Sequence, residues 1–144
     1  MQLKMILAMD LDGCIGKENG LPWRLRSDML RFKRLTLGTG NGAVLMGRTT
    51  WETIPKMYRP LVDRINIVVT RNREYTLSNA DVVYSIEEGI DVAKANNCDE
   101  CWIIGGANVY EQCRDMVEEI HLTSVETSNS GDFKVCLFMS IINI

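Results

Sequence analysis

Residues 100–110 read Glu100-Cys101-Trp102-Ile103-Ile104-Gly105-Gly106-Ala107-Asn108-Val109-Tyr110. Glu100 to Ile104 has the apolar character of a buried strand, and it ends on paired glycines. A helix is expected over Ala107 to Cys113. Paired glycines let a backbone approach a ligand closely, and a helix start favours a phosphate. On this segment alone, a tight strand-to-helix turn explains the pair equally well.

The same unit recurs upstream. Ala43 to Met46 reads as a short buried strand, Gly47 breaks it, and Arg48 to Ile54 begins a helix. Here Arg48, Thr49 and Thr50 bring a guanidinium and two hydroxyls to a helix start, a combination suited to a phosphate ester. An exposed helix start is the alternative. Strands are also expected at Leu3 to Met9, Ile65 to Val69, Asp81 to Tyr84 and Glu119 to Val125. Helices are expected at Ser27 to Leu37, with Ser27 as N-cap, and at Ile86 to Asn96. Strands separated by helices predict crossover connections: an α/β fold with a largely parallel, mixed central sheet flanked by helices. Ligands in such sheets bind at the carboxyl ends of strands, where Gly47, Thr70 and Gly105 fall.

Asp28 follows the expected helix cap, on one helical face with Phe32 and Leu35. A carboxylate on an apolar face is desolvated unless a ligand satisfies it, and a cationic ring would favour its charged form. Complementing the helix dipole is the plainer explanation. Arg64, just before the INIVV strand, could clamp a carboxylate through two parallel hydrogen bonds, or be an ordinary surface arginine. Arg71 could add a second positive group beside Thr70. Cys98 and Cys101 spell CxxC but lack a second pair for zinc, and they enter a strand rather than a helix, so packing is the expected role. His121 is the sole histidine and is expected to be structural. No metal site is expected.

The chain has 144 residues, 46% hydrophobic and 24% charged, which suits a single domain over 1–144 with one core. A net charge of -3 points to neither nucleic acid nor a membrane surface as partner. No secretory signal or membrane-length segment is evident, and the five cysteines suit a reducing compartment, so a cytoplasmic protein is expected.

Taken in order, these motifs resemble the dihydrofolate reductase family. The matching residues are Ile15-Gly16, Gly20-Leu21-Pro22-Trp23, Asp28, Phe32-Lys33, Met46-Gly47-Arg48-Thr49-Thr50-Trp51-Glu52, Ile54, Arg64 and Asn66. Ile104-Gly105-Gly106-Ala107, Val109-Tyr110, Leu122-Thr123 and Gly131-Asp132 complete the set, over about residues 3–132.

The resemblance implies reduction of dihydrofolate to tetrahydrofolate by NADPH, in support of one-carbon and thymidylate metabolism, by a monomeric antifolate target. It implies that Asp28 holds the pterin, supported by Thr123. Leu21 and Trp23 would join Asp28 in catalysis from the loop Asp10 to Arg26, which would close over the reactants. Ile6, Ala8, Met29, Phe32, Ile54 and Ile104 would wall the substrate, and Arg64 would pair with its glutamate carboxylate. Arg48, Thr49, Thr50 and Arg71 would hold the adenosine half of NADPH and its 2′-phosphate. Ala8, Ile15, Gly16, Gly20, Gly47, Thr70, Ile104, Gly105, Gly106, Ala107, Asn108, Val109 and Tyr110 would complete the cofactor site, with a cis Gly105-Gly106 bond.

After Asp132 the pattern departs from the family. Residues 133–144, FKVCLFMSIINI, form an apolar tail without proline. A frameshift or early stop is the expectation from this tail, with the family's C-terminal hairpin missing and activity weak or absent. Two alternatives accompany the main reading: a non-catalytic remnant or folate-binding protein of the same fold, and a related pyrimidine reductase of riboflavin synthesis.

Overall fold

In the strands, side chains alternate between two cores. In the computed structural model, residues 1–9, 14–16, 26–124 and 133–134 are described, with side chains for 1–7 and 30–121. The first strand, β1, is Gln2–Met9. After the short β2, Cys14–Gly16, comes helix α1, Arg26–Leu37. Then follow β3 (Gly42–Gly47), α2 (Arg48–Thr53), β4 (Ile65–Val69) and β5 (Asp81–Val83). The chain continues through α3 (Ile86–Ala95), β6 (Glu100–Gly105), α4 (Ala107–Cys113), β7 (Glu119–Ser124) and β8 (Phe133–Lys134).

Six strands form one sheet in the order β5-β4-β3-β6-β1-β7. Every pairing within it is parallel, as the strand–helix alternation implies. The antiparallel pairing lies apart, between β2 and β8, where Cys14 faces Lys134 and Gly16 faces Phe133.

The pleat sends Leu3, Met5, Leu7, Ala43, Leu45, Ile67, Cys101 and Ile103 to one face. There they meet Ile86 and Ala93 of α3, and Val109, Tyr110 and Cys113 of α4. Ile6, Val44, Met46, Val68, Trp102 and Ile104 point to the other face, against Phe32 of α1 and Trp51 of α2. Gly89 permits the close approach of α3, since a Cβ there would lie 3.3 Å from Ile67 Cγ2 and closer still to Leu45 Cδ1. No helix among the described residues is long and apolar enough to cross a membrane.

The helix limits carry one correction. Helix α1 starts at Arg26, so Ser27 lies in its first turn and not at the cap. A capping residue type marks a helix start only to within a residue or two. The cap that sequence reading missed is Ser85, whose hydroxyl accepts from the Glu88 N–H at 3.1 Å.

Candidate active site

The strand order creates a crevice. From β3 the chain runs on to β4, while from β6 it turns the other way to β7, yet β3 and β6 are neighbours. Ligands of open parallel sheets bind where adjacent connections diverge like this, beyond the carboxyl ends of the strands. Those ends are Gly47 and Gly105.

Both glycines are required by contact. A Cβ on Gly47 would meet Val109 Cγ2 at 3.2 Å, with Gly105 O and Gly106 N at 3.9 Å. Gly105 has φ +143°, and a Cβ there would lie 3.0 Å from Thr50 Oγ1. The Gly105-Gly106 peptide is cis. Gly47 and Gly106 are the N-caps of α2 and α4, and neither makes a side-chain cap hydrogen bond. No N-cap side chain therefore satisfies the backbone donors at either helix start. Gly47, Thr50, Gly105, Gly106 and Val109 thus converge, while Ala107 and Asn108 begin α4 alongside.

Positive charge flanks the crevice. The Arg48 guanidinium lies 5.0 Å from the Tyr75 ring centroid and 3.5 Å from Glu52 Oε1. Thr49 is exposed beside it. Thr70 directly follows β4, with its N–H donating to Val83 O and its hydroxyl accepting from Asn72 N–H at 3.1 Å. Arg71 follows, exposed, without a hydrogen bond or ion pair to any described residue.

Ile6, Phe32, Ile54 and Ile104 gather in the core cluster on the α1 and α2 face. Tyr110, also expected at the cofactor, is 1% exposed. Its hydroxyl lies 2.9 Å from the Ile6 carbonyl and 2.8 Å from the Ile104 carbonyl, and donates its one proton between them. Burial pushes this phenol well above its ordinary pKa.

Arg64 is half-buried. Its Nε donates to Val62 O at 2.9 Å and its Nη1 to Thr36 Oγ1 at 2.8 Å. Burial pulls its pKa below the ordinary value, opposed by the charge of Asp63. No carboxylate among the described residues pairs with it.

Asp28 and Met29 belong to α1, but their side chains fall outside the described residues, as do those of Ala8, Ile15 and Thr123, while Gly16 ends β2. The backbones of Ala8 and Thr123 are register partners at the ends of β1 and β7. Gly20, Leu21 and Trp23 lie wholly outside the described residues.

Sequence reading did not single out Thr36 or Tyr75, and used Asn66 only as part of a motif. Thr36 carried a signal, a hydroxyl in the helix turn that follows Phe32. The CxxC cysteines are buried free thiols, and burial pushes Cys101 up to about 12. That suits packing, since the thiolate is the reactive form. His121 Nε2 lies 3.1 Å from Glu119 Oε2, on the sheet beside Lys4.

A family model described as dihydrofolate reductase matches residues 2–139, running past Asp132. The chain is 37% identical over 123 residues to the dihydrofolate reductase of Mycobacterium leprae, covering 85% of this chain and 72% of that protein. It is 36% identical over 142 residues to bifunctional dihydrofolate reductase-thymidylate synthase 2 of Arabidopsis thaliana, covering 90% of this chain and 25% of that longer protein. Among solved structures, Schistosoma mansoni dihydrofolate reductase superposes with a TM-score of 0.81 at 35% identity, covering 94% of this chain and 79% of that one. Enterococcus faecalis dihydrofolate reductase complexed with NADP(H) and RAB-propyl superposes at 0.79 with 32% identity, covering 93% and 76%.

Proposed function

The chain belongs to the dihydrofolate reductase family, and on that premise we propose that it reduces 7,8-dihydrofolate to 5,6,7,8-tetrahydrofolate with NADPH. The observation that carries this reading is the crevice between β3 and β6. There two uncapped helix starts meet, and a Cβ on Gly105 would press on Thr50.

The residues present fit a dinucleotide. Gly47, Gly105 and Gly106 let the backbone at the two helix starts pack closely against Thr50 and Val109, and N–H groups at helix starts suit a pyrophosphate. Gly47, Thr49, Thr50, Gly105, Gly106, Ala107, Asn108 and Val109 would hold it, with Arg48, Thr70 and Arg71 taking the adenosine half and its phosphate. Ala8, Ile15, Gly16, Gly20 and Ile104 would complete the pocket near the nicotinamide. When bound, NADPH supplies the hydride.

The chain's own residues bind, orient and exclude water. Asp28 accepts hydrogen bonds from the pterin 2-amino group and the adjacent ring nitrogen, and its negative charge favours protonation of the ring. Thr123 supports Asp28. Ile6, Met29, Phe32, Ile54 and Ile104 keep the heterocycle dry, which strengthens each electrostatic contact. Tyr110 acts from below, tying the carbonyls of Ile6 and Ile104 so that the two strand ends keep their spacing. Leu21 and Trp23 cover the reactants, and Arg64 takes the substrate's glutamate carboxylate.

The protein acts as a cytoplasmic monomer and single domain, supplying tetrahydrofolate for one-carbon and thymidylate chemistry. NADPH absorbance followed with dihydrofolate tests the reading. The expected result is consumption, slow in keeping with the atypical tail at 133–144, that an antifolate abolishes and that Asp28→Ala lowers by at least about a hundredfold, the scale of a lost proton-transfer or charge contribution. An unchanged rate in Asp28→Ala, or no consumption by the parent, overturns it.

A further inference from the structure

Resting on that reading, we propose that Thr36 and Asn66 are positioning residues that hold Arg64 as a fixed fork for a carboxylate. On this view the preference for a substrate bearing a glutamate tail is set by two side chains that are themselves buried.

A guanidinium carries five N–H donors. Two are used inside the protein, one on the Val62 carbonyl and one on the Thr36 hydroxyl oxygen. The remaining donors are left for an acceptor that no described residue supplies. Thr36 is 0% exposed, and its own proton goes to Phe32 O at 2.8 Å. That commits its lone pairs to Arg64, so the hydroxyl acts only as an acceptor toward the guanidinium.

The other anchor, Val62, sits in a turn that Asn66 locks. Asn66 is 5% exposed. Its Oδ1 accepts from the Leu61 N–H at 2.9 Å. Its Nδ2 donates to Leu61 O at 3.0 Å and to Arg64 O at 2.8 Å. One amide therefore grips both ends of the turn that carries the arginine. Within it Asp63 adopts φ 60°, a left-handed turn conformation that aspartate tolerates better than most residues.

A half-buried cation that forms no salt bridge with any described residue costs desolvation that one carbonyl and one hydroxyl offset poorly. An incoming carboxylate would recover that cost through two parallel hydrogen bonds. Because the fork is fixed beforehand, little side-chain freedom remains to be lost on binding. A surface arginine kept for solubility needs neither anchor.

The test compares two substrates of the full chain, dihydrofolate and 6-methyl-7,8-dihydropterin, which lacks the glutamate tail. Thr36→Val removes the acceptor at nearly constant volume, while Thr36→Ser keeps it. Thr36→Val is expected to lower the ratio of kcat/KM for dihydrofolate to kcat/KM for the pterin about tenfold, on the scale of one charge-assisted hydrogen bond. The change should appear in KM for dihydrofolate, with kcat held. Thr36→Ser should keep the ratio within about twofold, and Asn66→Ala should lower it as Thr36→Val does.

A ratio unchanged in Thr36→Val overturns the proposal, whatever the fate of Asn66→Ala. So does an equal loss on both substrates, which would mark general damage, or a Thr36→Ser variant that behaves like Thr36→Val. Should the parent turn over neither substrate, the same ratio is read from Kd for folate and for pterin by tryptophan fluorescence. The reductase reading then fails, while the positioning roles stand or fall on the same tenfold change.

Discussion

Replacing Tyr110 by phenylalanine removes one oxygen and leaves the ring in place. The side chain is 1% exposed, and its hydroxyl spans the Ile6 and Ile104 carbonyls at 2.9 and 2.8 Å. Water cannot reach that spot without opening the core between α4 and the sheet. Losing a buried hydrogen-bond donor costs about 1–3 kcal/mol, so a loss of about 2 kcal/mol is expected at neutral pH. The sign changes in alkali. Burial holds the folded phenol well above its ordinary pKa, while the unfolded chain ionises it near about pH 10. Above that pH the unfolded state binds fewer protons than the folded one. Stability of the parent therefore falls as pH rises, by about 1.4 kcal/mol per unit from this group. The Tyr110→Phe variant lacks this branch, so the initial gap should close near about pH 11.5. Buried thiols such as Cys101 are common to both proteins and cancel. Urea denaturation followed by tryptophan fluorescence, at neutral pH and at about pH 11, measures both values. A gap below about 0.5 kcal/mol at neutral pH, or one that stays constant into alkali, refutes the reasoning.

Gly105→Ala places a methyl 3.0 Å from Thr50 Oγ1 at φ +143°; it should cost about 1–3 kcal/mol by urea denaturation and weaken NADPH binding by fluorescence titration. Gly40→Ala, at φ +90° with nothing within 4 Å, should lose stability and leave NADPH affinity intact. Cys101 is buried and its thiol pushed up to about 12, whereas the unfolded thiol ionises near about 8.5. Stability should therefore fall as pH rises between those values, and Cys101→Ala should show a shallower fall in denaturation curves over that range. Arg71→Gln, which removes an exposed guanidinium beside the crevice that pairs with no described residue, should raise KM for NADPH about tenfold on the scale of a lost charged hydrogen bond. KM for NADH, which lacks the phosphate, should move by less than about twofold.

The local units were legible because they are written in short stretches of chain. The run INIVV is β4 from end to end, and the pattern after Gly106 is α4 with the expected limits. Each rests on side chains a few residues apart. The sheet order was not legible. The apolar character of Glu100–Gly105 announces a strand but not its place between β1 and β3, which packing across the whole chain decides. The same holds at the site. Thr36 and Arg64 are 28 positions apart, and Arg48 meets Tyr75 across two elements, so no local motif joins them. Tyr110 lay within the expected cofactor run. Its role as a tie between strands follows from the helix face it shares with Cys113, packed on the sheet.

The position of β6 has a consequence for how the molecule is made. β1 leaves the ribosome before the other five strands of its sheet, yet both of its sheet neighbours, β6 and β7, come from beyond residue 99. The strands β3, β4 and β5 can zip together while β1 waits, an apolar ribbon with no hydrogen-bonding mate. Pairings across such long sequence separations form slowly and leave sticky surface bare in the meantime. The central strand is thus a keystone set late, and a nascent chain stalled before residue 100 would hold half a sheet and a dangling first strand, a form that chaperones would meet before any folate does.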